Sequence, residues 1–467
     1  MNKPAATPAF PRPAFAGEAE AEFDAFFEAE TDLEFLDAVI PDLCGVPRGK
    51  RFPIAEAGRL FAHGMPIPHS IYLMDARGDM TDAFGRGFSD GDPDGTAWPL
   101  PGTLSRVWTK SGPPRAQMLM TLRDRNGAPD PGEPRAALER VLERFADIGL
   151  TPVAALELEF YLIDPARAEH RAPQPPLDPR SGERENAVSV FGLDDLDRYE
   201  GFLSSLSEAA RRQRVPLSAA SKEYAAGQFE ANLKHQQDAR LAADHAIFLK
   251  QIVKEAARAN GFEATFMAKP YLESTGSGLH IHLSILDRDG RNIFAGADET
   301  GSELLRHAIG GLQALMPESM AIFAPSQNSY RRFQPDMFAP VNRSWGVNNR
   351  SAGIRIPAGP DESRRIEHRG AGADANPYLA LAAVLAGVHH GLLKKLDPGT
   401  PARGNVTKEP DPALPFGIDE ALAKLAGAEV LPAYLGEETL ALYRETKRIE
   451  TERLRRIIPP AEYDWYL

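Results

Sequence analysis

Between Ala264 and Ser284 the chain reads ATFMAKPYLESTGSGLHIHLS, in which His280 and His282 alternate with Leu279, Ile281, Leu283 and Ile285. On a strand, this period of two sends both imidazoles to one face and the aliphatics to the other. Gly276 and Gly278, just upstream, carry no Cβ, so the backbone there can lie close to a ligand. Taken alone, the stretch fits a half-exposed strand with two satisfied histidines as well as it fits a binding face.

The same alternation recurs with acids. AALELEFYLID sets Glu157 and Glu159 two apart in an apolar strand. Like charges on a mostly buried strand repel and resist desolvation, and a nearby cation relieves both. A solvent-facing strand edge would carry polar neighbours on that face, yet Ala155 and Tyr161 stand there. KEYAAGQFEANLK adds Glu223, and Glu230 on a short strand with Gln228 and Asn232, with Gly227 permitting a bend between the acids. Arginines concentrate downstream: Arg331, Arg332, Arg343, Arg350 and Arg355 between Asn328 and Pro357, then Arg364, Arg365 and Arg369 in RRIEHR, where Glu367 and Arg369 share a strand face. Arg331 and Arg364 fit a solvated basic surface, whereas Arg355 alternates with Ile354 and Ile356. Guanidinium suits bidentate capture of phosphate or carboxylate. Carboxylates with imidazole suit Mg²⁺ or Mn²⁺ better than zinc. Together these groups describe a cavity for metal-dependent phosphoryl transfer. The chain contains no GxxxxGK[ST] loop, which excludes a P-loop enzyme.

The elements that must position these residues form an α+β protein. At 467 residues two domains are the natural expectation. Residues 1 to about 18 read as a disordered Pro/Ala-rich tail, followed by an acidic helix through Phe23, Phe26, Phe27, Leu33 and Leu36. Pro41 to Lys50 reads as a turn-rich strand, and Ser70 to Trp108 as strand pieces broken by Gly and Pro. The break at Pro129 to Pro134 divides a small unit, 19–130, from a larger one, 131–467. The larger unit adds a helix from Asp238 to Asn260, a helix capped by Asn376, a Pro-rich loop over 398–416, and two amphipathic helices ending at DWYL, whose aromatics suit docking onto a neighbouring chain. His389 and His390 read as structural. The net charge of −13 argues against nucleic acid or an anionic membrane as main partner. No apolar run approaches the ~18 residues of a membrane span. A single cysteine, Cys44, and an N-terminus without a signal-peptide layout fit the cytoplasm.

The ordered segments ELEFYLID, GQFE, ATFMAKP, GSGLHIHLS, NSYRRFQP, APVNRSWGVNNRSAGIRIP, RRIEHR and ANPYLALAA resemble the glutamine synthetase family of the bacterial type, from about Asp42 onward. The resemblance implies an N-terminal β-grasp domain, a C-terminal catalytic domain, and a dodecamer with sites shared between neighbours. It implies that ATP phosphorylates the γ-carboxylate of glutamate and that an amine displaces the phosphate. Matched residue by residue, one metal site falls on Glu159, Glu223 and Glu230, and a second on Glu157, His280 and Glu367. His282 and Ser284 match the nucleotide side, and Arg350 and Arg355 the phosphates. Arg332 and Arg369 match the residues that hold glutamate and its acyl phosphate, with Gly276 on the backbone side.

Departures from the family pattern bear on the acceptor. Phe338 stands where the family has a glutamate that binds and deprotonates ammonium, Thr275 replaces the Asn before GSG, and neither the DGSS loop nor the NLYDLPP adenylylation loop is recognisable. An aromatic in place of a carboxylate favours a larger, partly apolar amine, the pattern of the γ-glutamyl-amine ligases. An ordinary glutamine synthetase and a catalytically silent relative remain as alternatives.

Overall fold

The computed structural model describes residues 11–467. In the N-terminal part six strands form one mixed sheet: β1 (Phe35–Pro41), β2 (Pro47–Pro53), β3 (Met65–Pro68), β4 (Asp94–Pro99), β5 (Ser105–Val107) and β6 (Arg115–Arg123). Their order is β2-β1-β6-β4-β3 with β5 against β6, and β1 and β6 run parallel. Leu36, Ala38 and Ile40 bury one face of β1 with Phe23, Leu60 and Phe61 of the helices α1 (Ala16–Ala29) and α2 (Ile54–His63).

Three expectations are corrected here. The acidic helix ends at Ala29, and Leu36 belongs to β1, because Arg106 pairs with Glu30 and Asp32 at the helix end and Phe35 takes up its strand partner Pro53. Helix α1 begins at Ala16, inside the stretch read as tail, since Ala16 and Ala19 pack into the interior. The first ten residues of that tail lie outside the described residues. Pro41 to Lys50 is the turn and second arm of a hairpin, its loop held by the Asp42 carboxylate accepting from the Cys44 and Val46 amides.

A second sheet contains β7 (Thr151–Ile163), β8 (Leu217–Lys222), β9 (Gln228–Leu233), β10 (Glu263–Thr265), β11 (Leu279–Leu286), β12 (Trp345–Val347), β13 (Ile354–Ile356) and β14 (Ile366–His368). The order is β12-β13-β14-β11-β7-β9-β8, with β10 on β7, and every pair is antiparallel except β12 with β13. Around it lie α3 (Pro134–Asp147), α4 (Leu193–Arg198), α5 (Glu200–Arg212), α6 (Ala239–Ala259), α7 (Glu303–Phe323) and α8 (Pro377–Lys394). Asp238 caps α6 by accepting from the Arg240 amide, as its position before the apolar run predicts. Helix α8 is buried almost throughout, and His389 on it bonds the Tyr434 hydroxyl and the Arg144 carbonyl, a structural role.

Beyond the Pro-rich loop the chain forms four helices where two were expected: α9 (Ile418–Ala426), α10 (Leu431–Leu435), α11 (Glu437–Arg455) and α12 (Pro460–Tyr466). The breaks fall at Gly427 and Gly436 and before Pro460, where backbone chemistry interrupts the periodicity. Trp465 and Tyr466 are exposed in the single chain.

The two parts are joined by a continuous core. Val39, Leu43, Leu73, Leu100 and Leu119 of the first part cluster with Leu138, Phe145, Tyr378 and Leu381 of the second. Asn376 accepts from the Tyr378 amide as cap of α8 and donates Nδ2 to the carbonyls of Asp42 (3.0 Å) and Leu43 (3.2 Å). Arg453 of α11 donates to Asp75 Oδ2 at 2.7 Å. Among the described residues no helix is long and apolar enough to cross a membrane.

Candidate active site

Strand register assembles the site. Glu157 faces His280 across β7 and β11, Glu159 faces Glu230 across β7 and β9, and His282 faces Glu367, which in turn faces Arg355. A slip of one residue in any pair would carry its side chain through the sheet, so burial of the other face fixes the site. That other face is Leu156, Leu158, Phe160, Phe229, Ile281, Leu283 and Ile366, all core.

The polar face opens into a cavity of about 930 Å³. Glu157, Glu159, Glu223, Glu230, His280, His282, Glu367, Gly276, Arg332, Phe338, Arg350, Arg355 and Arg369 all line it. Ser284 does not. It follows His282 by two on β11, opposite Val153, and its match to the nucleotide side rests on the family likeness alone.

Distances define two overlapping groups. His280 Nδ1 lies 3.6 Å from Glu157 Oε2 and 3.8 Å from Glu230 Oε2, and His282 Nε2 lies 3.1 Å from Glu157 Oε1, off the hydrogen-bond direction. The sets Glu157, Glu230, His280 and Glu157, His282, Glu367 each bring their ligand atoms within 4.8 Å of one another. This geometry shares Glu157 between both groups and sets His282 beside Glu157 and Glu367. Arg365 Nε donates to His282 Nδ1 at 3.1 Å and orients the ring.

The electrostatics suit divalent cations. Burial, then the Glu159 charge, pushes the Glu223 carboxyl up to about 7. Burial and the charges of Glu157, Glu159 and Glu223 likewise raise Glu230. Burial opposes ionisation of Glu157, but contacts from His280 and His282 outweigh it and hold the group well below the usual range. Glu367 is held at about 2, where Arg369, His280, His282 and Arg355 overcome the cost of burial. Carboxylates crowded until some prefer a proton are a donor set short of positive charge, and hard oxygen ligands with imidazole match Mg²⁺ or Mn²⁺. Arg355 donates to Glu367 Oε2 at 2.7 Å and Arg369 to Glu367 Oε1, while the buried Nε atoms of both have no partner among the described residues. Unpaired buried guanidinium donors beside a cavity fit an incoming anion.

Gly276 and Gly278 have another reason than ligand approach. A Cβ on Gly276 would lie 2.6 Å from Arg332 Cγ, and one on Gly278 would lie 3.0 Å from His280 Nε2. Their bareness makes room for the site's own side chains. Arg364, read as solvated, is buried and donates to the Glu299 carbonyl and to Asp361. Phe338 is exposed to the cavity in a left-handed backbone conformation (φ 50°), on a loop anchored where Asp336 meets Thr407 and Lys408 of the Pro-rich loop.

Sequence reasoning missed the segment Asn186 to Phe191, whose Val188, Val190 and Phe191 line the cavity though exposed. Its signal was present, since VSVF is apolar within a polar stretch that makes no regular element. Tyr224 and Arg365 were also passed over as lining residues.

The glutamine synthetase catalytic domain family matches residues 131–466. The chain belongs to the glutamine synthetase family. It is 38% identical over 448 residues to gamma-glutamylputrescine synthetase of Escherichia coli (strain K12), covering 96% of this chain and 94% of that one. It is 32% identical to the glutamate–isopropylamine ligase of a Pseudomonas species (91% and 93% covered) and to gamma-glutamylethanolamide synthetase of Streptomyces coelicolor (94% and 93% covered). Among solved structures, a GmaS/ADP complex superposes with a TM-score of 0.81 at 28% identity, covering 95% of this chain and 98% of that one.

Proposed function

We propose that this protein is an ATP-dependent ligase that joins the γ-carboxylate of glutamate to a primary amine larger than ammonium, such as putrescine or another alkylamine or polyamine, through γ-glutamyl phosphate. The observation that carries the reading is one cavity lined both by Glu157, Glu159, Glu223, Glu230, His280 and Glu367 and by Phe338, the residue that the family match assigns to the acceptor. The names of the three relatives support the amine as acceptor.

Glu157, Glu159, Glu223, Glu230, His280 and Glu367 would hold two or more Mg²⁺ or Mn²⁺ ions, with His282 close enough to join them. Bound cations supply neutralisation of the nucleotide phosphates. Arg350 and Arg355 meet the transferred phosphoryl group, and Arg332 and Arg369 orient glutamate beside it. Burial disfavours the Arg332 charge, and the carboxylates of Glu159 and Asp374 offset part of that cost. An ammonium ion needs an anionic cage, whereas an aromatic offers apolar area and a cation-π face to an alkylammonium.

In the same reading residues 19–130 form a β-grasp domain, for which the parallel pairing of β1 with β6 speaks, and 131–467 the catalytic domain. The enzyme works in the cytoplasm as a homo-oligomer, a dodecamer by family likeness, with neighbours completing each site.

The test is ATP-dependent phosphate release with glutamate against ammonium, methylamine, ethanolamine, putrescine and spermidine. A larger amine should lead in kcat/KM, and Phe338→Glu should move the ratio toward ammonium by about 10-fold or more, as restored charge at a partly desolvated site is worth on the order of 1–3 kcal/mol. Wild-type protein that uses ammonium as well as any amine would replace this reading with an ordinary glutamine synthetase.

A further inference from the structure

Lys222 is fully buried and is not among the residues that line the cavity. Its ammonium donates to the carbonyls of Ala225 (2.6 Å) and Glu223 (3.1 Å) and lies 3.5 Å from Glu185 Oε1. Glu185, also buried, accepts at Oε2 from the Tyr199 hydroxyl (2.6 Å) and the Gly227 amide (3.0 Å). Gly227 sits at φ +70°, where a Cβ would meet the Leu162 carbonyl at 2.6 Å, so the turn packs directly against β7 and takes no side chain there.

This network holds two pieces of cavity wall. One is the turn from Glu223 to Gly227, which presents the carboxylate of Glu223. The other begins at Glu185 itself and runs through Val188 to Phe191, whose amide donates back to the Lys222 carbonyl at 3.1 Å. One buried ion pair therefore ties the Glu223 turn to the apolar Val188–Phe191 wall of the same cavity. A buried pair is a poor source of stability, since desolvation offsets much of its attraction, and its better-attested use is to fix one arrangement.

We propose that Lys222 and Glu185 are positioning residues that set Glu223 and the Val188–Phe191 wall as one unit, so that metal affinity and choice of amine are governed together. The selectivity half of this rests on the amine-ligase reading; the metal half does not.

The test uses the full-length protein with Lys222→Met and Glu185→Gln, and Asp75→Asn at the distant contact with Arg453 as control. Mn²⁺ affinity is measured by calorimetry without substrates, and kcat/KM is measured for the preferred amine and for ammonium. Outer partners of metal ligands affect affinity by about 10- to 100-fold. Both pair variants should weaken Mn²⁺ binding by about 10-fold or more and lower the amine-to-ammonium ratio by about 5-fold or more. Asp75→Asn should lower the Tm and move neither. Glu185→Gln keeps hydrogen-bonding atoms in place and decides the matter if Lys222→Met does not fold. Affinity and ratio within about twofold of wild type, or a change in only one of them, overturns the proposal. A wild-type preference for ammonium overturns the amine reading instead, and the Mn²⁺ measurement still judges the pair.

Discussion

Replacing Glu230 by Gln should act in opposite directions on the metal-free and the metal-loaded protein. Burial and the charges of Glu157, Glu159 and Glu223 raise its carboxyl, although Asn232 Nδ2 donates to it at 2.9 Å. Because the folded-state value lies above the unfolded one, the unfolded chain releases this proton first. Stability is then full at low pH and falls as pH rises through the raised value. At an effective dielectric of about 20, two carboxylates ~5 Å apart repel by ~3 kcal/mol, and relaxation leaves about 1 to 3 kcal/mol for Gln to relieve at pH 9. That corresponds to a Tm gain of roughly 1–4 °C in a chain of this size. A cation present at about 100 times its Kd adds ~2.7 kcal/mol, and a 10-fold loss of affinity reduces this to about 1.4 kcal/mol. Melting curves at pH 9, with chelator and with Mn²⁺, read both terms. Glu230→Gln should melt at or above wild type without metal, show half the metal-induced rise or less, and release no phosphate. A variant that melts below wild type without metal, yet keeps the full rise and near-normal turnover, refutes the reasoning.

Glu367→Ala should abolish turnover with the circular dichroism spectrum retained, because it frees Arg355 and Arg369 as well as removing a ligand; near-normal phosphate release would remove Glu367 from the site. Glu133, fully buried, has its carboxyl pushed up to about 8 by burial, so between about pH 4.5 and 8 the folded state alone holds the proton and stability falls with pH. Glu133→Gln lacks that slope, and its Tm advantage should widen from pH 5 to 8; parallel curves would count against the shift. The exposed Trp465 and Tyr466 should be covered in an assembled particle, so light scattering should find a large oligomer, and an active monomer would contradict the shared-site reading.

The period-two strands were legible because each needs only its own residues: Glu157 with Glu159, His280 with His282, and Glu230 beside Asn232 all lie on the face their alternation predicts. Caps were legible for the same reason, as at Asp238 and Asn376. What local pattern cannot supply is which strands become neighbours. The pairing of His282 with Glu367, which sets His282 in one group with Glu157 and Glu367, depends on β14 joining β11. Burial of Arg364 depends on the loop that carries the Glu299 carbonyl arriving from 65 residues upstream, although Asp361 lies only three residues away. The wall at Val188 to Phe191 has no periodicity of its own, being held in place by a lysine from β8. Leu33 and Leu36 continued a helical spacing that the Arg106 ion pairs and the pairing of β1 cut short.

The core that runs unbroken from Val39 and Leu43 into α3 and α8 bears on how the molecule comes apart. Sequence invites cutting the chain near Pro134, but a fragment beginning there would present bare leucine and aromatic surface where β1 and β6 had lain, and Asn376 would lose both acceptors on the hairpin. Such fragments clump or bind chaperones instead of folding. Unfolding of the intact subunit should be a single cooperative event, with one calorimetric peak and amide protons of both sheets exchanging together, not a stepwise release of an N-terminal module from a stable remainder.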